Sequence, residues 1–175
     1  MTWTWPLFEG PRVWPDRPGR FGAVRKHDVH TGVDLYTYPG MTVMAVEPGT
    51  VVAIEDYTGT KAGSPWWLDT EAVLVEGSSG VICYGELATL KKIQIGSVVD
   101  TDTCLGCIKQ VLRTNKGRPM HMLHFELYTP GTRQSVVWGL HEPRPENLLD
   151  PTDKLREAWE ASTGRKLEYP GKGPI

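Results

Sequence analysis

Hydrophobic positions along the chain fall mostly in short, strand-sized runs bounded by turn signals. Residues 32–36, 42–46 and 50–54 are short runs rich in Val, Ala, Leu and Ile, separated by Pro39-Gly40 and Pro48-Gly49. β-branched and apolar side chains bounded by Pro-Gly turns predict strands, and three in succession predict an antiparallel meander. Residues 72–75 and 81–84 flank Gly77-Ser-Ser-Gly80, the pattern of a hairpin. Leu123, Phe125 and Leu127 alternate with His124, Glu126 and Tyr128, which predicts a strand over 122–128 with one face buried.

Other segments break this rhythm. Residues 57–69 carry Gly59, Gly63, Pro65 and the pair Trp66-Trp67, and read as a loop of a length that is often functional. Its tryptophans fill core or line a cleft; neighbouring strand positions face opposite ways, so at most one enters a groove. Over 152–162, Leu155 and Trp159 fall four apart on one face, the single convincing helix. The division that follows is an irregular, Trp-, Pro- and Arg-rich arm at 1–28, a β domain at 29–152, and a helix with an irregular tail at 153–175. The fold class is mainly β, a compact antiparallel β-sheet domain with a short C-terminal helix.

Composition agrees with that division and narrows the function. Nineteen glycines and 14 prolines in 175 residues supply many turns. Nineteen basic against 21 acidic side chains give a formal charge of −2, so no overall field draws the chain to nucleic acid or anionic lipid, which leaves room only for a local basic patch. No apolar run reaches the ~20 residues of a membrane-spanning helix, so no membrane insertion is expected. The N-terminal residues lack the basic start and apolar stretch of a secretory signal, which leads to the expectation of cytosolic synthesis, with release at lysis or carriage in a particle. Cys83, Cys104 and Cys107 are too few for a disulfide framework. Cys104-Leu-Gly-Cys107 has half-knuckle spacing, but it lies in a strand-like stretch where i and i+3 face opposite ways, which favours packing over metal binding.

The chemistry concentrates around two histidines. His30-Thr-Gly-Val-Asp34 sets an imidazole and a carboxylate four apart across a glycine, and His124 shares a strand face with Glu126. A His, an Asp and a second His converging from different strands make a three-ligand zinc site with an open position, the catalytic arrangement. His27 and His141 sit in charged, irregular surroundings and read as solvated.

These residues resemble a known family, the lysostaphin-like or LytM-type zinc metallopeptidases that cut peptide cross-links of bacterial peptidoglycan. His30-Thr-Gly-Val-Asp-Leu35 resembles the H-x-G-x-D segment, and Leu123-His-Phe-Glu-Leu127 resembles the L-H-F-E segment. Residues 39–52, Gly96-Ser-Val-Val with Leu105-Gly-Cys-Ile108, and Asn147-Leu-Leu-Asp-Pro151 follow in the family's order, so the likeness spans about 29–152.

The resemblance implies one Zn²⁺ held by His30, Asp34 and His124, with the ion activating water and polarising the scissile carbonyl of peptidoglycan peptides. The N-terminus without a secretory signal adds the expectation of phage tail or other virion proteins as partners. Glu126 reads either as a residue orienting His124 or as a surface carboxylate.

Two positions depart from the family pattern. Met122 stands where the first His of H-x-H is usual, and a thioether cannot do its work. His121 falls on the opposite strand face unless a bulge re-aims it. Glu86, in Tyr84-Gly-Glu-Leu87, stands where a second histidine is usual; it reads as a general base or as a solvated carboxylate. The expected function is a zinc metalloendopeptidase with Glu86 as base. The alternative is a catalytically weak or inactive zinc-binding virion structural or wall-binding module.

Overall fold

Residues 2–8 and 19–166 are described by the computed structural model. In chain order they form β1 (Asp28–Val29), β2 (Val33–Tyr36), β3 (Thr42–Met44), β4 (Gly49–Thr58), β5 (Thr70–Gly77), β6 (Gly80–Thr89), β7 (Val98–Val99), β8 (Cys104–Ile108), β9 (Met122–Tyr128), β10 (Trp138–Gly139), β11 (Leu148–Leu149) and the helix α1 (Thr152–Thr163). All pairings are antiparallel, in a nine-stranded sheet with β1 and β10 as a separate two-stranded ribbon. The three strands, the hairpin closed by Ser78-Ser79 and the C-terminal helix appear where the sequence pattern predicts them, but the strands do not form a meander: β2 pairs with β9, β3 with β8, and β4 with β5 and β7, because long-range partners rather than chain neighbours take their edges.

β9 is the hub of the sheet. Its register with β2 runs unbroken from Tyr36 opposite Met122 to Val33 opposite Phe125, and β6 takes its other edge, with Gly85 opposite His124. Leu123, Phe125 and Leu127 enter the main core with Leu35, Tyr84 and Leu87. The other face was expected to be open, but every residue of β9 is buried. The reason is a second layer: the 133–138 stretch lies over that face, where the Val136 N–H donates to the Tyr128 hydroxyl (3.1 Å) and Trp138 packs against the cluster containing Tyr128.

The start of the arm also has a place in the core. Trp3, Trp5 and Leu7 are buried, the Thr4 N–H donates to the Val46 carbonyl (2.8 Å), and the Met44 N–H donates to the Pro6 carbonyl (2.8 Å). Trp3 Nε1 donates to Glu47 (3.0 Å), a buried carboxylate that also accepts from Ser78 and Ser79. Trp5 meets Trp159 of α1 edge to face at 5.1 Å. The expected irregular arm is corrected here: Trp3, Trp5 and Leu7 alternate with Thr4 and Pro6, a period-two signal confined to one short extended run that covers the core. The remainder of the arm at 9–18 and the tail from 167 lie outside the described residues.

A register shift at Val43/Met44 alters the reading of the two strand cysteines. Val43 pairs with Gly106 and Met44 with Cys104, so Leu105 is an extra residue on β8. The bulge breaks the alternation, which lets both Leu105 and Ile108 reach the core while Cys104 and Cys107 are each half-buried.

Candidate metal centre

The loop before β2 can approach β9 only because residue 32 has no side chain. A Cβ on Gly32 would fall 2.4 Å from the Phe125 carbonyl oxygen and 3.0 Å from His124 Nε2. Glycine there brings His30 over the polar face of β9, and pairing of Asp34 with His124 brings the carboxylate to the same place.

His30, Asp34 and His124 are all buried, and their donor atoms form a triangle: His30 Nε2 to His124 Nδ1 is 3.1 Å, His124 Nδ1 to Asp34 Oδ1 is 2.9 Å, and His30 Nε2 to Asp34 Oδ1 is 3.2 Å. Zinc–nitrogen distances of about 2.0–2.1 Å place tetrahedral ligands about 3.3 Å apart, close to these edges. The opposite ring nitrogens are committed elsewhere. His30 Nδ1 lies 2.9 Å from the Arg20 carbonyl, where it donates, and His124 Nε2 lies 2.9 Å from Glu126 Oε1, where it donates. Both rings thereby present bare nitrogens to one point, an unfavourable pairing unless a proton or a cation sits between them. The donor set fits a divalent ion of zinc's preferences, and His30, Asp34 and His124 are the residues that could hold it.

Several neighbours fix the ligands. The Arg25 guanidinium donates to Asp34 Oδ2 at 2.9 Å, leaving Oδ1 for the centre. Glu126 is buried and takes donors at both oxygens: Thr31 Oγ1, Tyr57 OH and His124 at Oε1, and Tyr128 OH at Oε2. Burial would lift the Glu126 pKa, but His124, Thr31 and Tyr128 outweigh it and lower it to about 2. Burial would likewise depress His124, but Glu126 and Asp34 raise it to about 10. Asp34 is held well below the usual carboxylate range because His30 and His124 overcome its desolvation.

Glu86 lines the same groove as His30, Arg25 and His124, a space of about 320 Å³. It occupies a bulge, since Gly85 and Glu86 together face Ala72 between the Val73–Tyr84 and Glu71–Leu87 pairs. Its φ of 68° is left-handed, a conformation costing a side-chain-bearing residue about 1–2 kcal/mol. Glu86 Oε2 is enclosed with no hydrogen-bond partner. Burial, reinforced by Asp34, pushes its pKa up to about 8.

Met122 shares a strand face with His124, directly opposite Tyr36, and His121, just before β9, makes an isolated backbone bridge to Gln110. Trp67 lines the groove and Trp66 does not; His27 and His141 are exposed and outside it. Sequence reasoning did not single out Arg25, which holds Asp34, or Tyr36, which lies on the strand face of Asp34 without lining the groove. Arg25 lay in a charged stretch read as solvated, but Tyr36 was discoverable, because two residues past Asp34 on a strand is the same face.

No known protein-family profile matches the sequence, and no curated protein matches it. Solved structures do. A chain from Pseudomonas aeruginosa assigned as a peptidase M23 superposes with a TM-score of 0.53 at 19% identity, covering 90% of this chain and 51% of its own. A chain from Ruminococcus gnavus assigned as a glycyl-glycine endopeptidase lytM superposes with a TM-score of 0.51 at 15% identity, covering 91% of this chain and 61% of its own. The present chain therefore spans about half to three-fifths of the length of these structures, and the fold it shares with them is that of the M23, lysostaphin-like peptidases.

Proposed function

We propose that the protein is a zinc-dependent endopeptidase acting on peptide cross-links of bacterial peptidoglycan. The observation that carries this reading is the triangle of His30 Nε2, Asp34 Oδ1 and His124 Nδ1, with the opposite nitrogen of each ring held by a fixed acceptor so that the inner nitrogens converge on one point. When bound, zinc supplies Lewis acidity toward water and toward the scissile carbonyl.

The chain's own residues do the rest. Arg25 and Glu126 hold the ligands, and the groove positions an extended peptide across them. Glu86 takes the proton of the attacking water and passes it to the leaving amine as the C–N bond breaks. Glu86, pushed up to about 8 by burial, would be favoured in its ionised form with a dication held by His30, Asp34 and His124. The phenol of Tyr36, across from Met122, is the hydrogen-bond donor for the oxyanion in place of an imidazole. The same reading places the protein at the cell wall, released at lysis or carried with phage tail or other virion proteins.

The experiment is digestion of purified peptidoglycan by the zinc-loaded protein and by Glu86→Gln and Tyr36→Phe, with released peptides read by mass spectrometry and zinc content measured in parallel. Wild type should release peptides, Glu86→Gln should release none while keeping its zinc, and Tyr36→Phe should fall by about 10²–10³. The absence of both family histidines, with Met122 and Glu86 in their places, favours a second reading, a zinc-binding wall-binding or virion module. Full zinc loading without product from the wild type would select it.

A further inference from the structure

The groove is bounded on one side by Ala62 and Trp67 of the 59–69 loop, the β8–β9 connection is joined to that loop from behind, and the wall the two make differs in charge from the rest of the molecule. The connection folds back on itself, with Gln110 bridged to His121 and the Val111 N–H donating to the Met120 carbonyl (3.1 Å). The 59–69 loop is joined to it along its length. The Leu68 N–H donates to the Val111 carbonyl (2.8 Å), Lys109 Nζ to the Asp69 carbonyl (2.6 Å) and Arg113 Nε to the Pro65 carbonyl (3.1 Å).

This seam leaves two indoles at the surface. Trp66 is 64% exposed and Trp67 36%, edge to face at 6.0 Å, and Trp67 also lines the groove. The exposed 113–119 stretch, which reaches the indole loop through Arg113 and the Pro65 carbonyl, carries Lys116 and Arg118 as well. With Lys61 and Lys109, the wall holds five cations against one acid, Asp69, in a chain whose formal charge is −2. The remainder is net acidic, so the positive field is concentrated where the indoles are exposed. A merely solvated charged loop has no need of exposed indoles. Flat aromatic faces stack on sugar rings, and guanidinium and ammonium groups pair with carboxylates.

We propose that this wall binds an anionic glycan strand, with sugar rings stacking on Trp66 and Trp67 and carboxylates of its peptide branches pairing with Arg113, Lys116 and Arg118. The strand is then held beside the groove that receives a branch. This rests on the hydrolase reading only for the fate of the branch. The neighbouring peptide groove favours a glycan–peptide strand over nucleic acid, which shares the taste for aromatic and basic surfaces.

The test uses the full chain stripped of metal, titrated by tryptophan fluorescence with soluble peptidoglycan strands, with the same sugar chains freed of peptide branches, and with an oligothymidylate. The peptide-bearing strands should bind about tenfold or more tighter than the stripped chains, and weaken as salt rises. The triple variant Arg113→Glu, Lys116→Glu, Arg118→Glu and the single variant Trp66→Ala should each lose about tenfold, with melting temperatures unchanged. Wild-type affinity in both variants, or tighter binding of the oligothymidylate, overturns the proposal. Strands bound by the wild type but left uncut by the zinc-loaded protein refute the hydrolase reading alone. Strands cut by the wild type and bound equally by the triple variant refute the glycan wall alone.

Discussion

Replacing Glu126 by glutamine should weaken zinc binding by about 10–100-fold, the range found when a partner of a ligating histidine is removed. The structure sets this magnitude. Glu126 Oε1 accepts from His124 Nε2 (2.9 Å), Thr31 Oγ1 and Tyr57 OH (3.3 Å), and Oε2 accepts from Tyr128 OH (2.7 Å). An amide keeps one oxygen and turns the other into a donor facing Tyr128, whose hydroxyl already accepts the Val136 N–H at 3.1 Å. The lost charge-assisted bond to His124 contributes about 1.5–3 kcal/mol, consistent with one to two decades in Kd at about 1.4 kcal/mol each.

The assay is competition with a chromophoric chelator at fixed pH, with a thermal melt to show that both proteins are folded. A second readout comes from acid. Glu126 has a pKa of about 2 in the folded apo-protein against 4.5 unperturbed, so its contribution is present above pH 4.5 and lost as pH falls toward 2. Glu126→Gln should flatten that part of the stability curve. A Kd within twofold of wild type, with the acid dependence retained, would refute the view that Glu126 orients His124.

Three further outcomes are expected. His124, raised to about 10 in the apo-protein, stabilises the fold fully below pH 6.5 and progressively less as pH rises toward 10. It must also give up a proton to bind metal, so calorimetry at pH 7.5 in buffers of differing ionisation enthalpy should show about one proton released per ion bound; no release would mean His124 is neutral beforehand. Met122→His, which returns an imidazole to the face shared with His124, should raise turnover about tenfold or more on peptidoglycan by adding a second donor beside Tyr36, and unchanged turnover would show that Tyr36 alone suffices. Trp3→Ala removes a buried ring and a donor to Glu47 and should cost about 3–5 kcal/mol in denaturant unfolding, whereas an unchanged midpoint would show that the arm is not part of the folding unit.

Much of the fold was legible because its strands advertise themselves locally. Alternation at 122–128, Pro-Gly punctuation and the Gly-Ser-Ser-Gly turn each encode a strand or a turn within a few residues. The convergence of His30, Asp34 and His124 was expected from motif and resemblance, and unbroken register between β2 and β9 supplies the physical reason for it. Three features were hidden because they depend on distant chain. Burial of the polar face of β9 needs the 133–138 stretch, absent from any local pattern. The arm's tryptophans find their partners in Glu47 and Trp159, 44 residues and more away in sequence. The bulges at Leu105 and at Gly85-Glu86 change side-chain facing by one residue, and nothing in the local composition marks them.

The most direct measurement is anomalous diffraction at the zinc absorption edge from crystals of the reconstituted protein. One peak is predicted, within about 2.2 Å of His30 Nε2, Asp34 Oδ1 and His124 Nδ1, and absent in His124→Ala. No peak at that triangle after reconstitution, or a peak that survives His124→Ala unchanged, would contradict it.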